Sequence, residues 1–384
     1  MPKGRLQSLD ALRGLDMLLI MGFGPLVVSI CSAFGAGDCA LAQQFRHVAW
    51  NGLRLEDTIF PLFLFLAGVS WPYSCAAQLA RERTRGQIVV RCLRRAAVLF
   101  ALGLVYNGLL SGVLRMGSVL GRIGVAWLVG ALLYLFCRRR TLAVLALGLP
   151  LAYWMLLWLV PAPDALTIAF PQAPDYVAAC GRGPFSIVGN LSGYVDRNFM
   201  PGTLSPYVGI MDNQSALGYI PAVATALFGI LAGDFLRRTQ TTLPGARRLA
   251  VLFAVAAGLV SLGCLVAWGF GEASMPINKK LWSASFTFVV GGYSVFLLAV
   301  FHAVVDLGGF VRWTFPLRII GMNAIAIYLV QRFVPFSEIS KRLFGGLASL
   351  LPEAWGAVLL AFGSVALCWL LLYFLHKKGV YVKV

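Results

Sequence analysis

Long apolar runs separated by short polar segments dominate the 384-residue chain. Each run approaches the roughly 20 residues that a helix needs to cross the hydrocarbon core of a bilayer. The pattern predicts an all-α, polytopic transmembrane bundle of about ten helices. Their predicted bounds are Gly14–Phe34, Thr58–Ala80, Ala96–Leu114, Val119–Cys137, Thr141–Val160, Gln214–Leu236, Leu249–Phe270, Ser285–Val305, Phe315–Phe336 and Glu353–Leu375. An eleventh helix would result if Gly35–Leu53 or part of Pro161–Asn213 entered the membrane.

Composition supports the membrane class. The chain is 59% hydrophobic, only 12% charged, and has a mean hydropathy of +0.81, which is far from the balance of a soluble domain. The first apolar segment follows basic residues, as in a signal peptide, but it is too long and lacks a convincing cleavage site. We therefore expect a retained first helix and a single integral-membrane domain over residues 1–384.

The net charge of +17 is explained by topology rather than by nucleic-acid binding, because arginine and lysine cluster at alternate ends of the apolar runs. The positive-inside rule places the richer group in the cytoplasm, together with both termini. That group includes Lys3, Arg5, Arg13, Arg81, Arg83, Arg85, Arg91, Arg94, Arg95, Arg138–Arg140, Arg237, Arg238, Arg247, Arg248, Arg312, Lys377, Lys378 and Lys383. The segments at 35–57 and about 161–213 then lie on the opposite side.

The most informative segment is 45–70, where a histidine and an acidic residue precede an apolar run. His47 is one of only three histidines, and ionisable groups at a membrane boundary suggest a functional site. Trp50 and Asn51 begin an Asn-Gly turn suited to the interface. Asp57 fits the role of a helix cap or dipole partner equally well, and His47 that of an interfacial residue without chemistry.

A second polar cluster lies at the inner end of the first helix, where Arg5, Asp10 and Arg13 precede Asp16. A topological anchor with a local ion pair is one interpretation. An anion site is the other, because guanidinium groups match phosphate oxygens. In that case Arg91, Arg94 and Arg95 would extend the site, although each also suits a plain cytoplasmic flank.

Four further polar positions interrupt apolar surroundings. Arg122 should face the bundle interior or snorkel to the outer interface. Asn278 and Lys279 belong to an outer loop that ends near Trp282 and runs against the charge bias. Asn323 lies within an apolar helix, where interhelical hydrogen bonding would explain it.

The eight cysteines are scattered without metal-ligand spacing, so we expect no metal. Most fall inside predicted helices, where a packed thiol is the ordinary role. Cys39 and Cys180 both fall in outer loops, and their pairing in a disulfide is only weakly suggested.

Taken together, these segments resemble the family of transmembrane N-acetyltransferases typified by heparan-alpha-glucosaminide N-acetyltransferase. Bacterial glucosamine N-acetyltransferases of the NagX type look closest. The most specific matches are the His47 and Asn278 segments. The matching stretches are Arg5–Met17, His47–Gly68, Leu120–Trp127, Ala216–Gly233, Pro276–Phe286 and Gly321–Leu329.

The resemblance implies transfer of an acetyl group from cytoplasmic acetyl-CoA to the amine of a glucosamine unit across the membrane. The histidine of the family's H-x-x-W-N-G motif is its proposed catalytic residue, which corresponds to His47. The resemblance also implies an amino-sugar acceptor, a homodimer and a bacterial inner-membrane location. Lysosomal members carry an Asn in the first helix; here that place falls near Gly24, so their acceptor cannot be assumed.

The hypothesis for the chemistry is that His47 takes the ammonium proton, since imidazole accepts protons near neutral pH. Asp57 would orient it or stabilise the imidazolium, while a covalent acetyl-histidine is the rival mechanism. Asn51 or Asn278 would bind the sugar or the developing oxyanion, with Trp50, Arg122, Lys279, Trp282 and Asn323 as further acceptor residues.

Arg5, Arg13 and the group Arg91, Arg94 and Arg95 would hold acetyl-CoA. Two other function classes stay open. These are a membrane O-acetyltransferase, whose N-terminal pattern looks similar, and an amino-sugar transporter, which would be favoured by inverted repeats that the chain does not display.

Overall fold

A computed structural model describes residues 6–165, 183–204 and 209–382. The described chain is helical, and its only β-pairing is an isolated antiparallel bridge between Arg115 and Gly202. This confirms the predicted all-α class. The helices are α1 (Gln7–Leu18), α2 (Gly24–Ala33), α3 (Ala40–Gln44), α4 (Leu55–Leu79), α5 (Arg85–Tyr106), α6 (Val119–Phe136), α7 (Arg139–Leu159), α8 (Leu191–Phe199), α9 (Tyr219–Thr239), α10 (Gly245–Trp268), α11 (Ala284–Phe301), α12 (Phe315–Met322), α13 (Ala324–Phe333), α14 (Phe336–Ala348) and α15 (Glu353–Lys377).

Within the described residues, eight helical spans are long and apolar enough to cross a membrane, or nine if α12 and α13 count as one bent span. The sequence predicted about ten. The predicted segment Ala96–Leu114 is not among these spans. It corresponds to α5, which begins at a Thr84–Gln87 capping box and carries its arginines inside the helix. The predicted start at Ala96 is therefore wrong, because Arg91, Arg94 and Arg95 belong to the polar face of the helix and not to a flank before it.

Two predicted helices contain breaks that the apolar pattern did not reveal. Between α1 and α2 a π-helical turn over Leu19–Phe23 contains Gly22 at φ +110°, a conformation that suits glycine. Between α12 and α13 the chain bends by 61° at Asn323. Another π-helical turn, His302–Leu307, follows α11.

The chain forms two compact units. The first comprises Met1–His47, Arg54–Ile59 and Leu297–Val384. Its α1 packs directly on α12, because a Cβ placed on Gly14 would lie 1.8 Å from the carbonyl oxygen of Leu317. Small residues allow such close approach of helix backbones in membranes.

The second unit comprises Val48–Leu53 and Phe60–Phe296. Here α9 packs against α6 and α7. It also meets the apolar stretch of α4 so closely that a Cβ on Gly229 would lie 2.0 Å from the carbonyl oxygen of Phe65. The single domain expected over the whole chain stays a prediction.

Candidate active site

His47 lies in an irregular segment between α3 and α4, in the first unit. Two contacts shape this segment. The Arg46 guanidinium pairs with Asp38 at 2.9 Å, and the Leu55 N–H at the start of α4 donates to Gln44 Oε1 at 3.1 Å. The imidazole is thereby held at the entry to a long apolar helix.

His47 and Asp57 are in direct contact, as the sequence suggested. Nδ1 of His47 lies 2.9 Å from Oδ1 of Asp57, and the other carboxylate oxygen accepts the Arg54 N–H at 3.3 Å. The His47 side chain is 59% exposed and that of Asp57 only 1%. Asp57 also lies in the first turn of α4, where the helix dipole favours a carboxylate. A carboxylate at Nδ1 favours the tautomer with the proton there, which leaves Nε2 as the acceptor.

Gly24, near which the resemblance places the Asn of the lysosomal members, lies in the same unit. A Cβ there would lie 3.3 Å from the ring of Phe45 and 3.6 Å from Oε2 of Glu56, the neighbour of Asp57. This position therefore borders the His47 segment, although it offers no side chain here.

In the second unit the Asn51 turn and the Asn278 loop, far apart in sequence, are bound to each other. Gly52 donates its N–H to the Ile277 carbonyl at 2.8 Å, and Asn278 Nδ2 donates to Asn51 Oδ1 at 3.2 Å. Asn278 is fully buried and its Oδ1 accepts the Leu281 N–H, whereas Asn51 is exposed. The buried Asn278 amide therefore stabilises the loop, whereas the Asn51 side chain is exposed.

Lys280 also joins these two segments, and Trp50 binds the first of them to a third segment. Lys280 donates to the Ala49 carbonyl at 2.9 Å, while the buried Trp50 donates its indole N–H to the Phe185 carbonyl at 3.1 Å. Lys279 lies half-buried beside Asn278. The loop ends at Trp282, whose φ of +53° is rare for a residue with a side chain. Such strained positions cluster at functional sites.

Arg122 faces the interior of the second unit and is fully buried, so the snorkelling interpretation is wrong. Its guanidinium lies 5.0 Å from the ring of Trp282 and 5.3 Å from that of Tyr219. Nη2 donates to the Ser215 carbonyl at 2.9 Å, whereas Nε and Nη1 have no hydrogen-bond partner in the described part of the chain.

The same unit contains a buried acidic network that no sequence pattern predicts. Asp212 forms a two-point ion pair with Arg115, at 2.8 and 3.1 Å. Asp196 accepts the N–H groups of Asp212 and Ala216 at 3.1 and 2.8 Å. Burial raises the pKa of Asp196 to about 7, so this carboxyl changes charge near neutral pH.

Four of the five arginines expected to hold acetyl-CoA lie on α1 and α5. Arg5 lies outside the described residues. Arg13 lies 3.7 Å from the Asp10 carboxylate. Arg91 and Arg94 are exposed on α5, and the Arg95 guanidinium stacks 4.1 Å from the Trp127 ring.

A further basic cluster, which the sequence reasoning did not single out, surrounds the buried Asp234. Its carboxylate accepts hydrogen bonds from the Tyr134 hydroxyl at 2.9 Å and from Nε of Arg139 and Arg238 at 2.8 Å each. Both arginines had been assigned to the cytoplasmic flank. Only their shared carboxylate partner distinguishes them from other flanking residues.

Asn323 has both ends of its amide bound to the chain end. Nδ2 donates to the Val380 carbonyl at 3.0 Å, and Oδ1 accepts the Val382 N–H at 2.9 Å. It therefore holds the C-terminal segment at the bend between α12 and α13, and its expected contact with an acceptor stays a prediction.

Membrane-length helices together with an exposed imidazole on a buried carboxylate define a multi-pass membrane protein with a candidate proton-transfer site. The chain is similar to human heparan-alpha-glucosaminide N-acetyltransferase, at 26% identity over 86% of its length, and equally to the mouse protein. This similarity supports the family resemblance, whereas the NagX-type detail stays a prediction. The aligned region is 54% of each relative, and no family model matches.

Proposed function

We propose that the chain is a transmembrane N-acetyltransferase that moves an acetyl group from acetyl-CoA to the amine of glucosamine or a glucosamine-containing saccharide. The observation that carries this proposal is the exposed His47 held at 2.9 Å by the buried Asp57, in a homologue of glucosaminide N-acetyltransferases. Acetyl-CoA would bind from the cytoplasm and the acceptor from the opposite side. A multi-pass protein of a bacterial inner membrane, assembled as a homodimer, is the proposed setting.

The chemistry assigned to His47 is proton transfer. An amine attacks a thioester carbonyl only as the free base, so its ammonium form must first lose a proton. His47 Nε2 is the exposed acceptor, and Asp57 would stabilise the resulting imidazolium. The nitrogen then bonds to the acetyl carbon and loses its second proton, the carbon–sulfur bond breaks, and CoA leaves as a thiolate that takes up that proton.

Acceptor binding is assigned to Asn51, Trp50, Asn278, Lys279, Arg122 and Trp282. Three features support it: the exposed Asn51 amide, the strained Trp282 and the orphaned donors of buried Arg122. A buried polar group without a partner is costly unless a ligand or water satisfies it. Asn323 stays a predicted acceptor residue, although backbone groups occupy its amide.

Donor binding is assigned to Arg5, Arg13, Arg91, Arg94 and Arg95, and the cluster around Asp234 adds two more guanidinium groups on the same predicted side. Arginine suits this role because its fork matches phosphate oxygens. Arg13→Ala should weaken acetyl-CoA binding more than acceptor binding. Unchanged donor affinity in detergent would remove Arg13 from the site.

The test is incubation of the purified protein with acetyl-CoA and glucosamine, followed by chromatography of the products. N-acetylglucosamine formation that disappears in His47→Ala supports the proposal. Acetylation of a hydroxyl would instead identify an O-acetyltransferase, and the absence of any acetyl-CoA-dependent product would favour transport.

A single-turnover experiment separates direct transfer from a covalent acetyl-histidine. The protein is incubated with labelled acetyl-CoA and no acceptor. Stable label on the wild type that is absent from His47→Ala would show the covalent route, because histidine can also act as a nucleophile.

A further inference from the structure

Two cysteines that the sequence did not pair are brought together after α2. The Ala36 N–H donates to the Cys31 carbonyl at 2.8 Å, and the Cys39 N–H donates to the Ala36 carbonyl at 3.0 Å. Gly35, at φ +73°, allows the chain to reverse between them. Both ends of this turn are therefore fixed by backbone hydrogen bonds through Ala36.

The side chains of Cys31 and Cys39 interact with each other across this turn. Cys31 is buried, at 8% exposure, and Cys39 is half-buried. The Ala42 N–H donates to Cys39 Sγ at 3.5 Å. This hydrogen bond, with a smaller contribution from the Cys31 thiol, holds the pKa of Cys39 below its ordinary value. The thiolate is the nucleophile in disulfide exchange.

We propose that Cys31 and Cys39 form an intramolecular disulfide in the mature protein. The inference rests on the extracytoplasmic placement of this segment in the proposed function, since disulfides persist in oxidising compartments. The oxidant would be a protein disulfide of that compartment. The Cys39 thiolate attacks it to give a mixed disulfide, and the Cys31 thiolate then displaces the second sulfur. Two cysteine thiols are oxidised and one disulfide is reduced to two thiols.

The disulfide would fasten the segment that leads to His47. Asp38, directly before Cys39, pairs with Arg46, directly before His47. A disulfide from Cys39 to Cys31, near the end of α2, would further restrict the segment between Cys39 and His47. It would also exclude the pairing of Cys39 with Cys180, which lies outside the described residues.

The experiment uses the full-length protein in the membranes of the expressing cells. Free thiols are trapped with N-ethylmaleimide before lysis, and the protein is digested without reduction for mass spectrometry. Trypsin leaves both cysteines in one peptide, because no Lys or Arg separates Gly14 from Arg46. Cleavage after Phe34 separates them, so a disulfide then joins two peptides.

We expect the tryptic peptide to be two hydrogens lighter and free of N-ethylmaleimide, and the peptides on either side of Phe34 to be linked. Cys180→Ser should leave this species unchanged, whereas Cys39→Ser should abolish it and expose Cys31 to alkylation. Alkylation of both cysteines in the wild type, or a Cys39–Cys180 link, would overturn the proposal. The readout is mass, so it is independent of whether the protein transfers acetyl groups.

Discussion

The first unit contains two histidine–aspartate pairs with nearly the same contact and opposite surroundings. In the pair His47–Asp57 the Nδ1–Oδ1 distance is 2.9 Å, and in His302–Asp306 the Nδ1–Oδ2 distance is 2.8 Å. The His47 side chain is 59% exposed, whereas that of His302 is 3% exposed. Nε2 of His302 is buried without a hydrogen-bond partner among the described residues. The contact alone therefore does not distinguish the two pairs; access to Nε2 does.

The carboxylates differ as well. Asp57 serves His47 and one backbone N–H, whereas Asp306 accepts the N–H groups of Gln7 and Ser8 at 3.1 and 3.2 Å and the Ser8 hydroxyl. Since the first N–H groups of a helix lack intrahelical partners, Asp306 acts as the cap of α1 from a distant part of the chain. We infer that the first pair does chemistry and the second holds the helix.

The largest expected effect comes from removing the exposed imidazole. His47→Ala should reduce acetyl transfer to glucosamine by on the order of 10²- to 10⁴-fold, the usual contribution of a positioned general base. The measurement is product formation under saturating acetyl-CoA. The matched control is His376→Ala, which removes an imidazole whose contact is the Tyr381 hydroxyl. Equal activity of the two variants would show that His47 is not the general base.

Asp57→Asn should have the next largest effect. A hydrogen bond to a charged group contributes about 1.5–3 kcal/mol, which corresponds to roughly 10- to 100-fold in rate. The loss should appear in kcat rather than in KM for the acceptor. Asp306→Asn, corrected for the fraction of folded protein, should retain wild-type kcat; a matching loss there would show that both pairs take part in turnover.

The sequence predicted one pair and missed the other for a physical reason. His47 and Asp57 are ten residues apart and stand as scarce polar residues before an apolar run, so local pattern was enough. His302 and Asp306 also lie close in sequence, but the role of Asp306 depends on Ser8, which is 298 residues away. Such contacts arise from tertiary packing, which helical periodicity does not encode.

The same limit applies to the fold and to the other candidate residues. Apolar run length predicted the membrane-length helices, because the bilayer fixes that length. It did not predict the break at Asn323, whose amide binds backbone groups near residue 380. Arg122 was left open between interior and interface because burial of a guanidinium depends on neighbours such as Tyr219 and Trp282.

A stability measurement tests the structural role of the second pair. Asp306→Asn should lower the free energy of unfolding by about 2 kcal/mol, because a carboxylate that accepts several hydrogen bonds becomes a weaker acceptor. Thermal unfolding in detergent is the measurement, and Glu338→Gln, at an exposed carboxylate of the same unit, is the control. An unchanged unfolding temperature for Asp306→Asn would show that it does not hold α1.

The smallest expected effect concerns Asp196, a buried carboxylate with no histidine partner among the described contacts. Burial raises its pKa to about 7, so the folded state binds a proton that the unfolded state, with an ordinary pKa of about 3.9, has already released. Its contribution to stability is full below pH 3.9 and is lost as the pH rises through 7. The free energy of unfolding should therefore fall by about 1 kcal/mol between pH 6 and pH 8. Asp196→Asn should flatten this dependence while Asp306→Asn preserves it; a dependence that survives Asp196→Asn would contradict the assignment to Asp196.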